Sequence, residues 1–174
     1  VVSIIETRMN SSRLPGKVMK KINNIPLIEL LYYRVKKSKL IDEIVVATTN
    51  KKSDDKLVKF LILKKIKYFR GSESNVLSRV KNTAANFKAQ IIVRLTADNP
   101  LIDPNIIDYM LKIFLKNIKK YDFLTNNGFG IYENRSLPYG LDVQIFKYKD
   151  LIKSYNYSKT KDLKEHPGLY FYRE

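Results

Sequence analysis

Short β-branched runs alternate along this chain with segments of helical period, and that alternation rules out most architectures. Strands are read at Val1–Glu6, Glu43–Thr49 (EIVVATT), Gln90–Thr96 (QIIVRLT) and Leu141–Phe146 (LDVQIF), with weaker candidates at Lys67–Arg70 and Asp122–Thr125. Between them the spacing predicts helices over Pro26–Ser38, Asp54–Lys65, Asn75–Phe87 and Pro104–Ile118. Leu27, Leu30, Leu31 and Val35 share a face of the first, with Pro26 at its start; Leu57, Phe60, Leu61 and Lys64 share a side of the second. Strands followed by helices build βαβ units, so the expectation is an α/β fold with a mostly parallel sheet and helices on both faces. No repeat, low-complexity tract or Pro/Gly/Ser linker divides the chain, and residues 1–174 are read as one domain.

Composition removes several kinds of chemistry. With no cysteine there are no disulfides, thiolate zinc sites or cysteine nucleophiles, and a single histidine, His166, argues against a His-rich metal centre. No apolar run approaches the ~20 residues that span a bilayer, and no leader precedes the first strand, so the expected location is the cytoplasm, with no membrane partner. The chain starts inside a strand at Val1 and ends in the aromatic stretch Leu169–Tyr172, so both edges read as trimmed.

The formal net charge of +16 invites a nucleic-acid reading. Yet the cations are 25 Lys and only 8 Arg, and Lys, Ile, Asn and Tyr together make up 70 of the 174 residues, a bias that an AT-rich coding sequence produces by itself. The lysines are scattered over separate elements, and the bidentate arginine fork favoured by phosphate readers is scarce. Most of the charge is therefore expected to be solvated surface, without a nucleic-acid partner.

In parallel sheets ligands bind beyond the carboxyl ends of the strands. The loop after the first strand, Arg8-Met-Asn-Ser-Ser-Arg13-Leu-Pro-Gly-Lys17, sets three cations within ten residues. Arg8, Arg13 and Lys17 suit a triphosphate's charge, Ser11 and Ser12 offer hydroxyls, and Gly16 admits close backbone approach. The loop is not a Walker A motif, because Ser11 stands where that motif has its first glycine. It is not a dinucleotide fingerprint either: the only Gly-x-Gly is Gly128–Gly130, and position 133 is Glu.

The third strong strand runs into Thr96-Ala-Asp98-Asn-Pro100-Leu-Ile-Asp103-Pro104. Asp98 reads either as a Mg²⁺-holding carboxylate or as a turn aspartate. Asp103 reads as a helix N-cap ahead of Pro104. In Arg70-Gly-Ser-Glu-Ser-Asn-Val-Leu-Ser-Arg79, Ser74 or Asn75 caps the next helix, which leaves Glu73 and Arg79 without a structural explanation. Arg135 and Pro138-Tyr-Gly-Leu-Asp142 precede the last strong strand; Asp142 reads as a second metal ligand or as a sheet-edge residue. For His166 the default is a hydrogen-bonded surface role.

Taken in order, IIETRMNSSRLPGKVMKKI, IDEIVVATT, FRGSESNVLSRV, VRLTADNPLIDP, LPYGLDVQIF and EH resemble the cytidylyltransferases of the spore coat polysaccharide biosynthesis type. These share a superfamily with the CMP-sialic acid and CMP-Kdo synthetases. The resemblance implies a Rossmann-like nucleotidyltransferase fold, a GT-A-like three-layer sandwich, using CTP and Mg²⁺ on a sugar or sugar-acid acceptor. It implies that Arg8, Ser12, Arg13 and Lys17 form the triphosphate loop and that Asp98 is the metal aspartate. Ser72, Glu73 and Arg79 then face the nucleoside or sugar, and Asp142 is a second acidic partner or sugar contact. It also implies pairing as a homodimer, for which Leu169–Tyr172 is a candidate docking surface.

The chain departs from that pattern at Glu6 (usually Gln), Thr7 (Ala), Asn10 (Gly), Asn75 (an acidic residue) and Gln144 (Glu). Glu6 should weaken anion binding unless an arginine pairs with it. The family's chains continue past position 174, so the domain is expected to be cut short at its C-terminus. The expected activity is CMP transfer with release of pyrophosphate. The alternatives are a non-catalytic nucleotide- or sugar-phosphate-binding module and, on charge alone, a nucleic-acid binder.

Overall fold

The computed structural model describes residues 1–11, 13–127 and 137–173. Its centre is β1 (Val2–Glu6), every residue of which is buried. On one side β1 pairs in parallel with β4 (Glu43–Thr49), and β4 with β5 (Tyr68–Gly71); on the other it pairs in parallel with β6 (Ile91–Thr96). Next to β6 runs β8 (Gln144–Lys147), antiparallel to it, and β7 (Phe123–Thr125) closes that edge antiparallel to β8. The strand order is therefore β5-β4-β1-β6-β8-β7, with β8 alone reversed. A two-stranded hairpin, β2 (Lys21–Ile22) with β3 (Ile25–Pro26), stands apart from this sheet.

Side-chain alternation along each strand divides the core into two layers. Ile5, Val46, Val93, Leu95 and Ile145 point to one face, where α1 (Leu27–Val35), α2 (Asp55–Leu63) and α4 (Pro104–Lys116) cover them. Val2, Ile4, Val45, Ile92 and Phe146 point to the other, beneath α3 (Val76–Asn86) and α5 (Tyr148–Tyr157). This is the expected three-layer α/β sandwich. Among the described residues no helix is long and apolar enough to cross a membrane.

The caps follow the sequence. Asp103 accepts from the Asn105 amide at 2.8 Å with Pro104 opening α4, and of the two candidates at α3 it is Asn75 that caps, accepting from Ser78 N at 2.8 Å. Of the expected face of α1, Leu31 and Val35 are buried, while Leu27 and Leu30 are only half-buried and Ile28 and Glu29 take the buried places beside them. The last strong strand also begins later than expected, at Gln144, and α5, α6 (Lys161–Glu165) and α7 (Tyr170–Arg173) were not anticipated.

Of the expected docking surface Leu169–Tyr172, the first three residues pack into the core and Tyr172 stays exposed. Leu169 and Tyr170 are buried, and the Phe171 ring stacks on Phe123 at 5.0 Å and on Phe146 at 6.0 Å. These side chains cover the sheet face at Phe123 and Phe146, and covering it takes Leu169, Tyr170 and most of Phe171 out of solvent.

Candidate active site

Positions 2, 4 and 6 of β1 share the face that α3 covers, and along them the side chain changes from Val2 and Ile4 to Glu6. On β6 the same face carries Ile92 and then Arg94, and on β8 it carries Phe146 and, directly opposite Arg94, Gln144. The apolar layer thus gives way to a polar one at the ligand edge of the sheet. There Arg94 donates from Nη2 to Glu6 Oε2 at 2.6 Å and from Nη1 to Gln144 Oε1 at 2.6 Å. Arg94 and Glu6 are 12% and 8% exposed, so each needs the other: a buried charge without a partner is costly. The negative charge introduced by Glu6 is consumed by this pair.

The loop that follows β1 is closed on itself at Met9. Its carbonyl accepts from Ser11 N at 3.0 Å and from Gly16 N at 2.8 Å. Gly16 closes the turn with φ 68°, in the left-handed region that glycine enters without strain. Lys17 then starts a single 3₁₀ turn, Lys17–Met19, pinned by the fully buried Val18. From there its ammonium reaches Asp98 Oδ2 at 2.8 Å, across from the end of β6. Burial works to raise the Asp98 carboxyl, but hydrogen bonds from Lys17 and Thr96 and the Lys17 charge outweigh it and hold it below its ordinary value.

These groups line a cavity of about 300 Å³, with Arg8, Ser11, Arg13 and Lys17 on the loop side and Asp98 opposite. Glu6, Thr7 and Arg94 line it from the strands, and Val76 and Arg79 from the start of α3. Arg79 is 3% exposed and donates to the Ser72 carbonyl at 2.5 Å. Burial lowers its pKa; Glu6 and Asp54 oppose that shift, while Arg8 and Arg94 add to it. Its Nε, like Thr7 Oγ1, Glu6 Oε1 and Arg94 Nε, is buried with no hydrogen-bond partner among the described residues, a concentration of unmet polar capacity around one cavity.

A second cavity of about 320 Å³ adjoins the first and shares Arg94, Thr96, Asp98 and His166 with it. Its remaining wall includes Asn99, Asn127, Asp142, Gln144 and Tyr172. Carboxamides, a carboxylate and a phenol offer both donors and acceptors, the kind of lining that suits hydroxyl groups.

The expected loop residues Arg8, Ser11, Arg13 and Lys17 therefore converge with Asp98 and Arg79, while Gly16 shapes the turn beneath them. Ser12 and Arg135 lie outside the described residues. Ser72 and Glu73 line neither cavity: the Ser72 hydroxyl accepts from Asn75 N at 3.0 Å and its carbonyl holds Arg79. Asp142 belongs to the second cavity and not to the one that carries the loop. His166 is exposed, as its surface default has it, and it also stands in the wall common to both cavities, carried there by α6, which packs on α3. Arg94, Thr96 and Gln144 were missed as site residues. The available signal was the charge of Arg94 inside a β-branched run of a sheet covered on both faces.

Comparison with known proteins agrees with this geometry. A family model described as cytidylyltransferase matches residues 2–174. The spore coat polysaccharide biosynthesis protein SpsF of Bacillus subtilis is 33% identical over 174 residues, covering 98% of this chain and 72% of that protein. A 3-deoxy-manno-octulosonate cytidylyltransferase of Geobacter sulfurreducens is 29% identical over 198 residues, covering 99% of this chain and 76% of its own length. Among solved structures, a cytidylyltransferase from Leptospira borgpetersenii superposes with a TM-score of 0.91 at 33% identity, over 99% of this chain and 71% of that one.

Proposed function

The chain belongs to the cytidylyltransferase family, and from that premise we propose that it transfers CMP from CTP to a sugar or sugar-acid acceptor in the assembly of a surface polysaccharide. It is a CTP-dependent nucleotidyltransferase. The observation that carries the finer reading is the wall common to two cavities, one lined by the cationic loop and the other by hydroxyl-binding groups. A triphosphate in the first cavity and an acceptor in the second meet at that wall, where Asp98 stands. The acceptor oxygen bonds to the α-phosphorus, the bond from that phosphorus to the β-phosphate oxygen breaks, and pyrophosphate leaves.

Each residue has a role that follows from its position. Arg8, Arg13 and Lys17 offset the phosphates' charge, and Lys17 stabilises the departing pyrophosphate. Arg79, at the start of α3, and Glu6, at the end of β1, border the nucleoside. Asp142 accepts from the acceptor's hydroxyls. Chemistry of this kind depends on placement and charge compensation more than on a strong base, which suits a chain with one histidine and no cysteine.

Magnesium fits as an ion carried by the nucleotide. Among the described residues no group of three or more His, Cys, Asp or Glu side chains could hold a metal, so a resident all-protein site is not formed. Asp98 provides one hard oxygen donor beside the phosphate cations, and Mg²⁺ is commonly held by one or two carboxylates plus phosphate oxygens. Asp98 would hold it, and the ion when bound supplies further charge neutralisation at the phosphates.

The test is pyrophosphate release from CTP by the purified protein with a panel of sugars and sugar acids. Release that requires both CTP and one acceptor supports the proposal. Tight CTP binding with no turnover on any acceptor would turn the assignment to a nucleotide-binding module.

A further inference from the structure

One buried carboxylate near the first cavity touches no part of its lining. Asp54, on the short 3₁₀ turn Lys52–Asp54 ahead of α2, is 1% exposed. Its Oδ2 accepts from the hydroxyls of Thr48 and Thr49, both at 2.7 Å, and from the Thr49 amide at 2.9 Å. Its Oδ1 accepts from the Met9 amide at 2.9 Å, 45 residues away in sequence. Burial works to raise its pKa, but the hydroxyls of Thr49 and Thr48 and the amides of Met9 and Thr49 prevail and hold it below the ordinary carboxylate value.

We propose that Asp54 is a positioning residue for the triphosphate, setting the cationic loop through the Met9 amide. The inference rests on reading that loop as the triphosphate site. Met9 is the point at which the loop closes, since its carbonyl receives both Ser11 N and Gly16 N. Asp54 fixes the opposite side of the same residue to the end of β4. That hydrogen bond ties the closing point of the turn that carries Ser11 and Arg13 to the sheet, between the Thr7 amide bonded to Ala47 O at one end and the buried Val18 at the other. Arg13 itself is exposed and has no partner among the described residues to hold it, so its placement depends on the backbone beneath it.

The substitution D54N separates positioning from folding. An amide has one accepting oxygen, and three donors meet that oxygen at Thr48 and Thr49. Its NH₂ is then turned on the Met9 N–H, donor against donor. The control T48V removes one hydrogen bond from the same carboxylate and leaves Met9 untouched. Calorimetry on wild type, D54N and T48V, with CTP and with inorganic pyrophosphate as probes, should show D54N weakened at least about tenfold for both. T48V should stay within about twofold of wild type even where its Tm falls as far. If D54N does not fold, M9P, which removes the N–H itself, is compared with M9A, and only M9P should lose affinity.

Wild-type affinity in D54N or M9P overturns the proposal, as does a loss in T48V that matches its loss of Tm. A wild-type protein that binds neither CTP nor pyrophosphate overturns the triphosphate reading of the loop, and the role of Asp54 falls with it.

Discussion

Lys17 and Asp98, 81 residues apart in sequence, meet at 2.8 Å across the mouth of the first cavity. One comes from the loop after β1 and the other from the loop after β6, the strand beside it. The pair joins two neighbouring strand ends where a parallel sheet presents its ligands. Both side chains remain partly exposed, 23% and 44%, so the contact is a weak source of stability.

K17A and D98A should each lower CTP-dependent pyrophosphate release at least about 100-fold, or some 2.7 kcal/mol of transition-state stabilisation. Thermal melting should hardly change. A steady-state assay beside a melting curve checks both, and near-wild-type turnover in either variant would remove the pair from the mechanism.

For the buried Glu6–Arg94 pair the expectation is the reverse. E6A leaves a guanidinium buried without its partner, which should cost about 3–5 kcal/mol in urea unfolding. E6Q retains an acceptor for Arg94 and should cost clearly less. Equal losses in the two variants would show that charge compensation is not what Glu6 provides.

Acid stability should depend on Asp54. Its pKa is lowered in the folded protein, so the stability it contributes is fully present above the unfolded carboxylate value near 3.8 and disappears as pH falls through the lower folded value. Unfolding free energies of wild type and D54N should therefore differ at pH 7 and converge below the ordinary carboxylate range. A gap that stays constant down to pH 2 would show that the charged form carries none of the difference.

Gly168 lines the second cavity and acts on the shared wall only through Gln144, which holds Arg94. A Cβ there would lie 2.9 Å from the Gln144 side-chain amide, which is free to move but not without leaving Arg94. G168A should raise the acceptor KM several-fold while the CTP KM stays within about twofold, as initial-rate kinetics in both substrates will show. A change confined to CTP would contradict the assignment of the second cavity.

Much of this was legible in the residues. The four main strands and the loop Arg8–Lys17 follow from local pattern, because a buried strand and a cationic turn are written in consecutive positions. Asp103 as a cap was legible for the same reason. Asp54 was not: at a helix start it looks like an ordinary cap, and its partners Thr48, Thr49 and Met9 are brought to it by the pairing of β1 with β4. That the exposed His166 also lines both cavities was not legible, because its place depends on α6 packing over α3. Leu169–Tyr172 was misread because only the assembled sheet shows which of its faces lacks a cover.

Arg94 places one nitrogen against a residue of each cavity, and it shares its wall with Thr96, Asp98 and His166. A side chain that serves two pockets cannot be altered for the benefit of one. On the proposed assignment, drift toward a new acceptor is therefore confined to the outer wall, at Asn99, Asn127, Asp142, Gly168 and Tyr172. The architecture then separates the inheritable from the adjustable: the sugar side can diverge without renegotiating the hold on the nucleotide.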